Sequence, residues 1–157
     1  GPLALTIFFL IMFVGGCAGS TTCGIKVFRF QILYETAAAQ IRRLVQPHGV
    51  FIPYYNRSPI TDEVTMSVMS FFFFYVLVFV VLALGLSALG LDFISAMSGA
   101  ATAISNVGPG LGPVIGPSGT FTSLPDAAKW LLSAGMLLGR LELFTILVLF
   151  APAFWKP

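Results

Sequence analysis

Two glycine-rich stretches carry the residues best suited to chemistry in this sequence. They are Gly15-Gly16-Cys17-Ala18-Gly19-Ser20-Thr21 and Ser105-Asn106-Val107-Gly108-Pro109. Neither pairs a nucleophile with a base or gathers metal ligands, so the reactive group on offer is the peptide carbonyl itself. Glycine permits dihedrals closed to other residues and leaves no side chain in the way. A segment that leaves a helix frees its carbonyl oxygens, and freed carbonyls can replace water around a cation. The blander reading is that such glycines serve helix packing or ordinary turns.

Other motifs carry less. Gly108-Pro109-Gly110-Leu111-Gly112 follows no strand and has no acidic residue at the right distance, so it is not a dinucleotide fingerprint. The stretch from Gly19 to Lys26 is not a phosphate loop, because Val27 and not Ser or Thr follows the lysine. Cys17 and Cys23 form neither a disulfide framework nor a zinc spacing. Cys17 would act through its backbone and Cys23 through packing. The single histidine, His48, stands beside a proline in a loop and reads as a surface residue. An enzyme is not indicated.

The elements around these residues must lie in a membrane. The 157 residues are 57% hydrophobic and 9% charged, against about a quarter charged in soluble chains. A net charge of +2 without a basic run gives no support to nucleic acid binding. A membrane span takes about 20 apolar residues. Residues 69–89 meet this without a charge, and Asp62 and Glu63 suit the first turn of a longer helix. Residues 130–151 form a second predicted span, starting at Pro125-Asp126 and interrupted only by Arg140 and Glu142. Within it Gly135 and Gly139 make a small-xxx-small step suited to close helix packing. Two apolar stretches, 3–14 and 92–105, are too short to span and suit helices that dip into the bilayer and return. Residues 25–45 have helical spacing but carry Lys26, Arg29, Glu35, Arg42 and Arg43, so this helix faces protein or a wet cavity for part of its length. Residues 42–61 hold Arg42, Arg43 and Arg57, whereas 112–124 hold no charge. The positive-inside rule puts the first loop and the C-terminus in the cytoplasm and the second loop outside.

The elements then repeat. A short helix, a glycine-rich turn and a longer helix occur at 3–14, 15–24 and 25–45, and again at 92–105, 106–112 and 125–151. The predicted fold class is an all-α polytopic membrane protein built from helix–pore loop–helix repeats, divided as 1–61 and 62–157. A re-entrant helix aims its negative C-terminal end toward the membrane middle, which stabilises a cation there. Broken helices also form midplane substrate sites in secondary transporters, so the residues alone leave an ion pathway and a broken-helix transporter both open. An intramembrane arginine such as Arg140 is functional by default, with a structural ion pair as the alternative.

Gly15 to Thr21, closed by Gly24-Ile25-Lys26, resembles the third pore loop of the Trk/Ktr/HKT potassium transporter superfamily. Asn106 to Gly112 resembles the fourth. Met136-Leu137-Leu138-Gly139-Arg140-Leu141-Glu142 and Pro152-Ala153-Phe154-Trp155 resemble the last helix and terminus of its TrkH members. The resemblance covers essentially the whole chain. It implies potassium uptake through a four-unit filter, of which this chain holds the fourth unit and the third without its outer helix. The matching filter residues are Cys17, Ala18, Gly19 and Ser20 in one loop and Asn106, Val107, Gly108 and Pro109 in the other, with K+ held by carbonyls near Gly19 and Gly108. Relatives often carry glycine where this chain has Thr22 or Cys23. The resemblance further implies a gating role for Arg140 and an interrupted helix near Ala38, where the alanines of 36–40 themselves favour unbroken helix. No resident cofactor is expected. The implied partners are lipid, the N-terminal half of the same protein, a second copy, and a TrkA-type cytoplasmic nucleotide-binding ring, in the inner membrane. Channel-like flow and ion-coupled symport are both compatible with these loops.

Overall fold

A computed structural model of the chain describes residues 2–17, 19–20 and 22–141. Five α-helices follow one another: α1 (Pro2–Ile11), α2 (Val27–Val45), α3 (Asp62–Ala88), α4 (Phe93–Ser105) and α5 (Asp126–Arg140). A helix stands at each of the five predicted positions. Residues 142–157, which include the far half of the second predicted span, lie outside the described residues.

α3 is the described helix long and apolar enough to cross a membrane. Thr61 caps it by accepting the Val64 amide, and Asp62 and Glu63 occupy the first turn beside the positive helix end. It stops at Gly90, whose φ of +90° and amide bond to the Ser87 carbonyl make a left-handed C-terminal cap. Only 28% of its most apolar window is buried, and Phe73, Val81 and Leu84 are exposed. A soluble core helix would be covered; this one presents its apolar surface outward, as a helix facing lipid or further membrane segments does.

α4 is different. Between Ser95 and Ser105, Met97 alone escapes full burial. Its small side chains let α3 and α5 close against it. Gly135 of α5 lies against Ala103 and Leu82, and a β-carbon on Gly139 would overlap the Ile104 carbonyl. The predicted glycine step is therefore the seam between α5 and α4. Asp92 caps α4 by accepting the Ser95 amide at 3.2 Å.

The all-α expectation has one departure, a hairpin of β1 (Tyr54–Tyr55) and β2 (Ser58–Pro59) in the basic loop. Asn56 and Arg57 both take positive φ (47° and 65°), the geometry of a tight two-residue hairpin turn. Arg43 donates to the Phe51 carbonyl at 3.0 Å and ties this region to α2.

Candidate functional site

The second glycine-rich loop begins where α4 ends. Asn106 turns left-handed (φ 52°, ψ 42°) and breaks the helix. Its side-chain amide donates to the Met136 carbonyl of α5 at 2.9 Å. The chain then doubles back along α4. The Val107 amide donates to the Thr102 carbonyl (3.1 Å) and the Gly108 amide to Thr102 Oγ1 (2.9 Å). One turn earlier, Ser98 Oγ accepts the Leu111 amide at 2.9 Å while donating to the Ile94 carbonyl. Gly110 donates to the Ile115 carbonyl at 2.7 Å, and Ile115 is fully buried against Gly99 and Gly110. Behind the helix end, the buried Tyr75 hydroxyl pairs with Ser105 Oγ at 2.7 Å. Gly108 has φ +115° and open space where a β-carbon would sit. Among the described residues no backbone amide donates to the carbonyls of Asn106, Val107 or Gly108.

The first loop is held mainly by its own backbone. The amides of Gly15 and Ile25 donate to the carbonyls of Ile25 and Phe13, both at 2.9 Å, so Val14 and Ile25 form a parallel bridge. Val27 donates to the Gly16 carbonyl at 3.1 Å. The loop thus leaves and returns at one place. At Gly19 (φ +84°) the position a β-carbon would take has nothing within 4 Å. Gly24 (φ +83°) supplies the left-handed residue at the loop's exit, after Thr22 and Cys23. The hydroxyls of Ser20 and Thr22 pair with each other.

The fold brings the two loops together. Val14, Thr22 and Cys23 from one, and Ser105, Asn106 and Val107 from the other, line an open cavity of about 820 Å³. Beneath the first loop, a smaller cavity of about 220 Å³ is bordered by Ser20, Cys23, Lys26, Arg29, Tyr75 and Arg140. Arg140 Nη1 donates to Cys23 Sγ at 3.7 Å, joining α5 to the exit of the first loop. Arg29 stacks on the Phe71 ring at 3.8 Å, a cation–π contact at the edge of this cavity.

Cys17, Gly19 and Ser20 lie in the first loop, and Asn106, Val107, Gly108 and Pro109 in the second, as read from the sequence; Ala18 and Glu142 lie outside the described residues. The implied interruption near Ala38 is not present. α2 runs unbroken through 36–40, as the helix preference of alanine dictates. Sequence reasoning missed Ser98, Thr102 and Tyr75. A signal existed: Ser95, Ser98, Thr102 and Ser105 recur at i, i+3, i+7 and i+10, one polar stripe on an otherwise apolar helix. Among the described residues no group of His, Cys, Asp or Glu could hold a metal ion.

An outward-facing apolar helix, small-residue helix packing and two glycine-bearing loops around one cavity mark a membrane transport protein. The chain belongs to the TrkH family of cation transport proteins, whose family model matches residues 2–156. It is similar to the Trk system potassium uptake protein TrkI of Halomonas elongata, at 56% identity over 99% of this chain and 32% of that protein. The Trk system potassium uptake protein TrkH of Escherichia coli K12 is 42% identical over 99% of this chain and 32% of its own length. The crystal structure of the potassium transporter TrkH from Vibrio parahaemolyticus superposes with a TM-score of 0.87 at 41% identity, covering 98% of this chain and 32% of that one. The chain thus spans about a third of the length of these relatives. The relatives are transport proteins, and the chain is not an enzyme.

Proposed function

We propose that this chain forms the third and fourth pore-loop units of a potassium uptake protein, residues 1–61 and 62–157, and lends two loops to a carbonyl-lined filter. One observation carries the reading. Gly19 and Gly108 both hold positive φ with open space on the side-chain side, in two loops that border a common cavity. The similarity to potassium uptake proteins supports K+ as the transported ion. Two loops cannot surround an ion in a four-part pore, so the remaining units belong to the rest of the protein. A gating role for Arg140 rests on the family resemblance, and its bond to Cys23 at the exit of the first loop supports it. Arg42, Arg43 and Arg57 support a cytoplasmic 42–61 loop and Lys156 a cytoplasmic C-terminus, while the inner membrane rests on the family resemblance. A homodimer and a TrkA-type nucleotide-binding ring rest on the family resemblance.

The test is rubidium and potassium uptake by the full-length parent in potassium-requiring cells, with Gly19→Ser and Gly108→Ser. The expected result is uptake by the parent and weakened discrimination against sodium in both variants at normal membrane level. Uptake with unchanged discrimination moves the ion path elsewhere and favours a broken-helix transporter site. In the same assay Arg140→Ala raises flux in the regulated state; unaltered flux leaves Arg140 a packing residue.

A further inference from the structure

We propose that Thr102 is a positioning residue for the cation path, its hydroxyl holding the Gly108 amide so that the Val107 carbonyl faces the ion. This deepens the filter reading above and rests on it. The argument begins with the peptide plane. No peptide bond among the described residues is cis. In a trans peptide the N–H and C=O of one plane point in opposite directions. The Val107 amide belongs to the plane of the Asn106 carbonyl, and the Gly108 amide to the plane of the Val107 carbonyl. Both amides end on Thr102, one on its carbonyl and the other on its hydroxyl oxygen. Two successive carbonyls are therefore turned away from α4 together. Successive peptides in a strand would alternate; here one residue aligns them.

The two bonds are not equivalent. The bond to the Thr102 carbonyl belongs to the helix cap and survives any side chain at 102. The bond to Oγ1 exists only with a hydroxyl there. Thr102 is fully buried. A hydroxyl in such surroundings is costly unless hydrogen-bonded, and the Gly108 amide is its partner at 2.9 Å. Gly108 itself meets nothing within 4 Å on its open side, so no packing contact there restrains the plane. Ser98 repeats the device one turn earlier at Leu111. Only the Thr102 bond acts on a carbonyl beside the central glycine.

The experiment uses the full-length parent, with membrane level measured before uptake. Thr102→Val keeps the volume and removes the acceptor; Thr102→Ala removes it in a smaller, helix-favouring side chain; Thr102→Ser keeps the hydroxyl. Rubidium uptake under sodium competition reads the discrimination ratio. Thr102→Val and Thr102→Ala are expected to lower it roughly threefold to tenfold, the scale of one hydrogen bond, and Thr102→Ser to restore it. A parental ratio in Thr102→Val or Thr102→Ala, alongside a lost ratio in Gly108→Ser, overturns the role of Thr102 and leaves the filter standing. An unchanged ratio in all of them, Gly108→Ser included, overturns the filter reading and this proposal with it. A loss that Thr102→Ser fails to restore assigns the effect to packing and overturns the proposal. So does failure of Thr102→Val and Thr102→Ala to reach the membrane where Thr102→Ser does, since the hydroxyl would then serve folding.

Discussion

The two loops solve the same problem in different ways. Each must hold a non-helical backbone beside a cavity, with a glycine at positive φ where no side chain intrudes. The second loop is pinned by side chains: Ser98 and Thr102 of α4 hold its amides, and its own Asn106 ties it to Met136 of α5. The first loop is closed by main-chain bonds between its own arms, at Phe13, Gly15, Gly16, Ile25 and Val27. Within this chain, which spans about a third of its relatives' length, the helices that precede them also differ. α4 is buried on nearly all sides and carries hydroxyls every turn. α1 has no buried residue, and its one hydroxyl, on Thr6, is spent on the Pro2 carbonyl at 3.1 Å. A buried helix can serve as a rigid peg for a loop.

The comparison can be broken first at the seam behind the second loop. Gly139→Ala would drive a β-carbon into the Ile104 carbonyl, and neither backbone can yield easily. A loss of about 1–3 kcal/mol is expected, seen as a lowered unfolding temperature of the purified full-length protein; an unshifted midpoint would mean that α4 and α5 are not locked there. Next comes the closure of the first loop. Gly24→Ala imposes a side chain at φ +83° with the Phe13 carbonyl 3.3 Å away, whereas Gly19→Ala imposes one at φ +84° in open space. Both carry a left-handed cost of about 1–2 kcal/mol, and Gly24→Ala is expected to be the worse of the two in the same melting experiment. Equal effects would show that crowding at the exit does not matter. The smallest effect is expected behind the second loop. Tyr75→Phe removes the hydroxyl paired with Ser105 and is expected to cost about 0.5–1.5 kcal/mol, with Ser105→Ala in the same background adding little. Full additivity of the two would deny that they are partners.

Much of this architecture is legible in the residues alone. Residues 69–89 declare a span because so long an uncharged apolar run has few other homes. Gly19 and Gly108 declare turns because each stands in a glycine-rich stretch that follows a short apolar helix. The short stretch 92–105 matches the helix Phe93–Ser105, which Asp92 caps. The small-residue step at Gly135 and Gly139 announces close packing without naming the partner. The resemblance implies a break near Ala38, whereas the local residues favour continuous helix, and the local preference holds. The hairpin at 54–59 escapes notice because Asn56-Arg57 lacks the glycine that usually marks such a turn.

The sequence by itself determined where the helices lie, where they must stop, and which residues are free of side chains at the loops. Those properties reside in neighbours within a turn or two of one another, where hydropathy, capping and glycine act directly. Tertiary structure alone decided what holds the loops in place. Tyr75 meets Ser105 and Asn106 meets Met136 across 30 positions each, and Cys23 meets Arg140 across 117. Such pairings depend on how closely whole helices approach, and the approach is set by the summed packing of α3, α4 and α5, which no short stretch of residues encodes.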